Sequence, residues 1–271
     1  MSSWNLRSRK RSRVFRFGLP ILLIPAILVS ACSGQPTDVD TLLASGGDHL
    51  EAGEVEAAIE DLEAAVETDP ENEDAHFLLG KAYHDDGELQ KASEQFETVI
   101  SIAPENGAAH HNLGVIFLQM QAPERAIAEL EIALGLDPES AETQYQLGAS
   151  YLTLAVTGSG PESPPDTQQL EEAAGYFEAA LENRADMPEA LIGLGNVYTF
   201  QEDFDQAIEM LQRAVSQVPE STEAWFALGR ACAQSGDVEA ACEAYRNFMA
   251  LDPPENWKTE VQTVMLSLGC E

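Results

Sequence analysis

The chain is expected to fold as an all-α solenoid of stacked helix pairs, and two observations lead there. Six successive frames, five of 34 residues and one of 47, each carry glycine at the eighth place: Gly46, Gly80, Gly114, Gly148, Gly195 and Gly229. An alanine recurs in the following segment of each frame, at Ala58, Ala92, Ala126, Ala173, Ala207 and Ala241. The apolar residues between them return at helical spacing rather than strand alternation. A period of this length marks a protein built of repeated units that bury their faces only against neighbours.

The frames run 39–72, 73–106, 107–140, 141–187, 188–221 and 222–255. Each reads as two short antiparallel helices. Glycine costs a helix about 1 kcal/mol against alanine, so its recurrence needs a packing reason. The reason offered here is close approach of paired helices. Larger residues then fill the space between layers: Leu79, Leu113, Leu147, Leu194 and Leu228 in first helices, Leu62, Phe96, Leu130, Phe177, Leu211 and Tyr245 in second helices. Pro70, Pro104, Pro138, Pro219 and Pro253 stop the second helices, because proline cannot continue the hydrogen-bond ladder. Asn72, Asn106, Ser140 and Ser221 stand where the next helix needs an N-cap.

Three places depart from the pattern. The first frame has Ser45 and His49 where leucine and tyrosine are usual, and Gly46-Gly47 is expected to weaken its first helix, as a terminal unit with one face in water allows. The fourth is interrupted at 156–168, a stretch with Gly158, Gly160, Pro161, Pro164 and Pro165 that is expected to be an exposed loop. After the last frame, Trp257, Val261, Val264, Met265 and Leu268 make residues 256–271 a further amphipathic helix, expected to cap the stack.

Charge divides the chain unevenly. Arg7, Arg9, Lys10, Arg11, Arg13 and Arg16 precede residue 17, leaving 8 basic against 47 acidic residues and a net charge of −39 in the remainder. Such a body repels nucleic acid and anionic headgroups and favours cationic partners at low salt. The basic start is followed by an apolar run at 19–29 that contains Pro20 and Pro25. It falls short of the roughly 20 residues of a membrane span, so residues 1–31 read as a secretory signal peptide.

Val29-Ser30-Ala31-Cys32 resembles the lipobox of bacterial lipoproteins. The resemblance implies that Cys32 becomes the first mature residue and carries a diacylglyceryl group and further acyl chains, each buried methylene contributing about 0.8 kcal/mol of anchoring. Ser33, in place of Asp, implies the outer membrane facing the periplasm in a host with two membranes, and otherwise the outer face of the cytoplasmic membrane. Residues 32–38 form a tether of at most about 25 Å when extended.

The frames themselves resemble the tetratricopeptide repeat, and Trp225 restores the aromatic that this family often has at the fourth position. The resemblance implies a right-handed superhelix whose first helices line a concave groove. Their second, fifth, ninth, twelfth and thirteenth positions here include Phe77, Lys81, His84, His111, Val115, Leu118, Tyr145, Leu152, Ile192, Asn196, Phe200, Phe226 and Arg230. This apolar and aromatic stripe with few cations suits an extended or helical protein segment. The family's carboxylate clamp is not expected, since Asn112 and Asn196 lack basic partners in the first layers.

Chemistry has little footing. There is no phosphate loop, nucleophile elbow or His-Glu-x-x-His zinc motif. Of five histidines only His84 and His111 are expected in the groove, too far apart to share an ion, so no metal, cofactor or catalytic residue is expected. Cys242 is placed to reach Cys270 in an exported protein, with Cys232 the competing partner or a small core residue. The expected function is a membrane-anchored scaffold or adaptor of the bacterial envelope that binds protein segments. A lipidated cysteine before six such repeats resembles the type IV pilus pilotin, which helps a secretin reach or assemble in the outer membrane. It also resembles adaptors that recruit peptidoglycan hydrolases or proteases. The reading from another class is a cell-wall-active carrier or enzyme using the inserted loop.

Overall fold

A helix shorter than about 15 residues is marginal alone in water, so helices of this length persist only by packing. The computed structural model describes residues 38–157 and 164–270. The signal segment, Cys32, the rest of the tether before Asp38 and the centre of the inserted stretch lie outside the described residues. Thirteen helices and no strand occur among those described. They pair as α1 (Val39–Ala52) with α2 (Val55–Thr68), α3 (Glu73–Asp85) with α4 (Leu89–Ile102), and α5 (Gly107–Gln119) with α6 (Pro123–Leu136). The series continues with α7 (Ala141–Thr157) and α8 (Thr167–Asn183), α9 (Pro188–Phe200) and α10 (Phe204–Gln217), and α11 (Thr222–Ser235) and α12 (Val238–Ala250). Helix α13 (Glu255–Leu268) ends the stack. Each helix packs on its sequence neighbours and each first helix also meets the next first helix, which makes a superhelical solenoid.

The caps follow from the sequence. The side chains of Asn72, Asn106, Ser140 and Ser221 accept from the backbone N–H three residues on, at 2.9, 2.9, 3.3 and 3.1 Å. Each satisfies a donor that the first helical turn cannot. Every regular pair turns at its fifteenth residue through left-handed backbone. Glycine holds that place at Gly53, Gly87 and Gly236, whereas Gln121 and Glu202 adopt φ of 59° and 60° there with a side chain attached.

All the layer-filling residues anticipated above are buried, and Leu62, Phe96, Leu130, Phe177 and Leu211 are sealed from solvent. The ring of Phe177 shows why glycine recurs. A methyl group added at Gly148 would lie 2.7 Å from it, and one added at Gly193, on the following first helix, would lie 2.5 Å away. The ring touches backbone on both sides.

The fourth position proves to be a polar staple in four of the six units, while Leu42 and Leu191 pack in the core at that place in the first and fifth. His76 and His110 donate from Nε2 to the carbonyls of Pro70 and Pro104 at 3.0 and 3.1 Å. Gln144 and Trp225 make the same bond to Pro138 and Pro219 at 3.0 and 2.8 Å. A carbonyl freed where proline ends a helix thus finds a donor in the next unit. A second link repeats at 20 residues: the hydroxyls of Tyr83, Tyr151 and Tyr198 donate to Glu63, Glu131 and Glu178 of the preceding second helix.

Two expectations need correction. The insertion at 156–168 is not all loop, since α7 continues through Thr157 and α8 begins at Thr167, each helix having 17 residues. Gly46 and Gly47 do not interrupt α1 either, because Leu62 packs against Gly46 and holds the helix in place.

Candidate functional site: the face of the first helices

First helices present their fifth, ninth and twelfth positions on one face by helical periodicity. Along this face Phe77 is half-buried, its ring meeting Phe96 edge-on at 5.5 Å. Lys81 is exposed and makes no ion pair among the described residues. His84 is bonded to Gln119 of the next first helix at 3.1 Å. His111 is bonded to the Thr143 hydroxyl, again on the next first helix, at 3.0 Å. Burial holds the His111 imidazole below its ordinary pKa, partly opposed by Glu142, so it offers no charge at neutral pH. Leu118 and Leu152 are half-buried. Tyr145 packs on Phe177 with ring centres 5.9 Å apart.

Further along, Asn196 Oδ1 accepts from Arg230 Nη2 at 2.7 Å, and the guanidinium lies over the Phe200 ring at 5.2 Å. Burial lowers the Arg230 pKa, opposed by Tyr245 and Glu260. Its Nε is enclosed and without a protein partner.

Two of the candidate groove residues change standing. Ile192 is only 6% exposed and belongs to the core with Leu211 and Leu228, so it cannot contact a partner. Phe226 is roofed by the capping helix: the Trp257 ring lies 5.2 Å from its ring at a tilt of 38°, with Phe248 at 5.7 Å. The cap therefore closes the last layer of the stripe and leaves the open floor to run from Phe77 to Phe200.

The cap is fastened covalently, for Cys242 of α12 is joined to Cys270 with 5.5 Å between their Cα atoms. Among the described residues Cys232 is the free, buried thiol, its pKa pushed up to about 11 by burial and then by Asp237. It is a core residue, not a nucleophile. Among the described residues no three His, Cys, Asp or Glu side chains converge as metal ligands.

Inspection of the stripe alone overlooked its edge. The second position of the first helix is acidic at Asp40, Asp74, Glu142, Glu189 and Glu223, with Ala108 the exception. Glu189 and Glu223 both act electrostatically on the Tyr145 hydroxyl, raising its pKa after burial has done so, and Glu142 does the same for His111. The signal was present as a second recurring column, hidden by the general acidity of the chain.

A stack of helix pairs with an open stripe along its first helices defines a helical-repeat protein of the kind that binds other proteins. The chain belongs to the tetratricopeptide repeat family: one model of that description matches residues 49–113, 85–151 and 166–217, and a second matches 200–256. Solved structures share the fold. One described as pilF of Pseudomonas aeruginosa is 20% identical at a TM-score of 0.67, covering 83% of this chain and 96% of its own. PilW, described as a widely conserved type IV pilus biogenesis factor, is 20% identical at 0.69, covering 84% and 98%. YrrB, described as a TPR protein with an unusual peptide-binding site, is 24% identical at 0.56, covering 71% and 93%. No curated protein matches the sequence significantly.

Proposed function

We propose that this protein is a membrane-anchored adaptor of a bacterial cell envelope, which holds segments of partner proteins along its first helices. The observation that carries the reading is the stripe of Phe77, His111, Leu118, Tyr145 and Leu152, half-buried side chains that recur along one face. An elongated apolar row of this kind suits a chain segment better than a small molecule. The repeats typify non-catalytic scaffolds, and no catalytic role is assigned. Anchoring rests on Cys32 and its small-residue context.

The test is capture of partners from envelope extract by wild-type protein and by Leu118→Gln with Leu152→Gln, changes that keep volume and remove apolar contact. Recovery should fall at least tenfold at unchanged helicity; equal recovery counts against the groove. Anchoring is checked separately by the mass of the mature N-terminus and by whether Cys32→Ser releases the protein from membranes.

A pilotin-like role is the second reading. It is favoured by the likeness to pilF and PilW, which extends over nearly the whole of both chains. It predicts that deletion of the gene leaves a secretin in the host unassembled; normal secretin multimers in the deletion strain would end it.

A further inference from the structure

The acidic edge says what kind of segment the groove takes. Asp40, Asp74, Glu142, Glu189 and Glu223 are all exposed, and among the described residues only Glu142 has an ion-pair partner, Arg184. An acid in the first helical turn complements the helix dipole wherever it stands. These carboxylates do more, because the second position of a first helix stands one turn from the fifth, which lines the floor of the stripe. Where Ala108 breaks the column, a cleft of about 480 Å³ opens between α5, α6 and α7. Ala133 and Leu136 form an aliphatic wall in it, and Glu105, Asp137 and Glu142 supply carboxylates. An aliphatic wall with carboxylates is the complement of a lysine or arginine side chain, whose stem is apolar and whose head is charged. The cations nearby are few: Arg184 is already paired with Glu142, Lys81 stands one repeat away on α3, His111 is held neutral by burial, and Arg230 lies three repeats away on α11 against Asn196 and Phe200.

Resting on the groove reading above, we propose that the occupant is an extended cationic segment, with apolar side chains on the Phe77–His111–Tyr145 row and a lysine or arginine in the cleft beside Ala108. Glu189 and Glu223, exposed and without ion-pair partners among the described residues, continue the acidic edge along which the segment lies. Attraction of this kind raises the association rate and selects among partners that share the same apolar pattern.

The experiment uses full-length protein in neutral detergent and three labelled twelve-residue peptides. All have leucine and phenylalanine at alternate places; the intervening residues are lysine, glutamine or glutamate. Fluorescence anisotropy at 50 mM salt should show the lysine peptide binding at least tenfold tighter than the glutamine peptide, and the glutamate peptide weakest. The preference should shrink several-fold at 500 mM salt, as screening shortens the reach of exposed charges. Glu189→Gln with Glu223→Gln, and separately Glu105→Gln with Asp137→Asn, should each weaken the lysine peptide several-fold. Both should leave the glutamine peptide within twofold.

Equal affinity for lysine and glutamine peptides would overturn the inference while leaving the groove reading intact. A lysine preference untouched by either double variant would also overturn it, since the attraction would then come from the acidic surface at large. Failure of all three peptides to bind would overturn both readings.

Discussion

Adding one methyl group at Gly148 should destabilise the protein, whereas the same change at Gly175, on the helix packed against it, should stabilise it. Both glycines lie inside helices, α7 and α8, so alanine brings each about 1 kcal/mol of helix propensity. Their surroundings differ. Nothing lies within 4 Å of a Cβ at Gly175, but at Gly148 it meets three atoms of the Phe177 ring at 2.7, 2.8 and 3.0 Å. Ordinary carbon contacts begin near 3.5 Å, so the ring must retreat by about 1 Å. It has nowhere to go, because its far edge already touches the backbone at Gly193. Overpacking of a filled core costs ~1–3 kcal/mol, leaving Gly148→Ala a net loss of about 1 kcal/mol and up to ~2. The two variants should therefore differ by about 2 kcal/mol, the gap between an overpacked core and an unobstructed helix. Urea denaturation followed by circular dichroism measures this directly. A Gly148→Ala protein as stable as Gly175→Ala would refute the close-approach explanation of the repeating glycine.

Two further outcomes follow from the same geometry. Reducing the Cys242–Cys270 bond opens a loop with a sequence separation of 28. It should cost about 3.6 kcal/mol on the chain-entropy scale, seen as a lower urea midpoint and faster amide exchange in α13; an unchanged midpoint would show that Trp257 and Val261 hold the cap unaided. At alkaline pH the tyrosines set a limit. Burial first, and then neighbouring carboxylates, push Tyr83, Tyr151 and Tyr198 from 10 up to about 12. Between those values the unfolded chain has lost protons that the folded chain retains, so stability is full below about pH 10 and falls as pH rises to about 12. Absorbance titration of tyrosinate should show late ionisation in the native chain and ordinary ionisation in guanidinium; coincident curves would contradict the Tyr–Glu links.

The fold was legible because its determinants are local and repeated. Gly80, Ala92 and Pro104 each recur in register with their counterparts, so one unit read correctly supplies the others. The capping asparagines and serines were legible for the same reason. Pairwise features across layers were not. That His76, His110, Gln144 and Trp225 all donate to a proline carbonyl six residues back is invisible in a column of mixed residue types. The stripe was legible only as positions on a helix. Burial of Ile192 and roofing of Phe226 depend on how α10 and α13 pack, which periodicity in α9 and α11 does not encode.

The cap limits where a partner can lie. Trp257 takes the position over Phe226 that a bound side chain would otherwise occupy, and the Cys242–Cys270 bond keeps it there. Beyond Phe200 the stripe is therefore already filled from within the chain. At the other end, Ser45 and His49 turn toward Asp61, and His49 also toward Glu54, so the first layer spends its polar groups on itself. The open floor lies between, on the first helices of repeats two to five, and this is the part bordered by Asp74, Glu142, Glu189 and the cleft at Ala108. The positions that specify stacking are almost constant along the chain. Those that border the floor vary, and it is in their variation, aromatic at Phe77 and Tyr145, neutral imidazole at His111, small at Ala108, that a preference for one partner segment over another must reside.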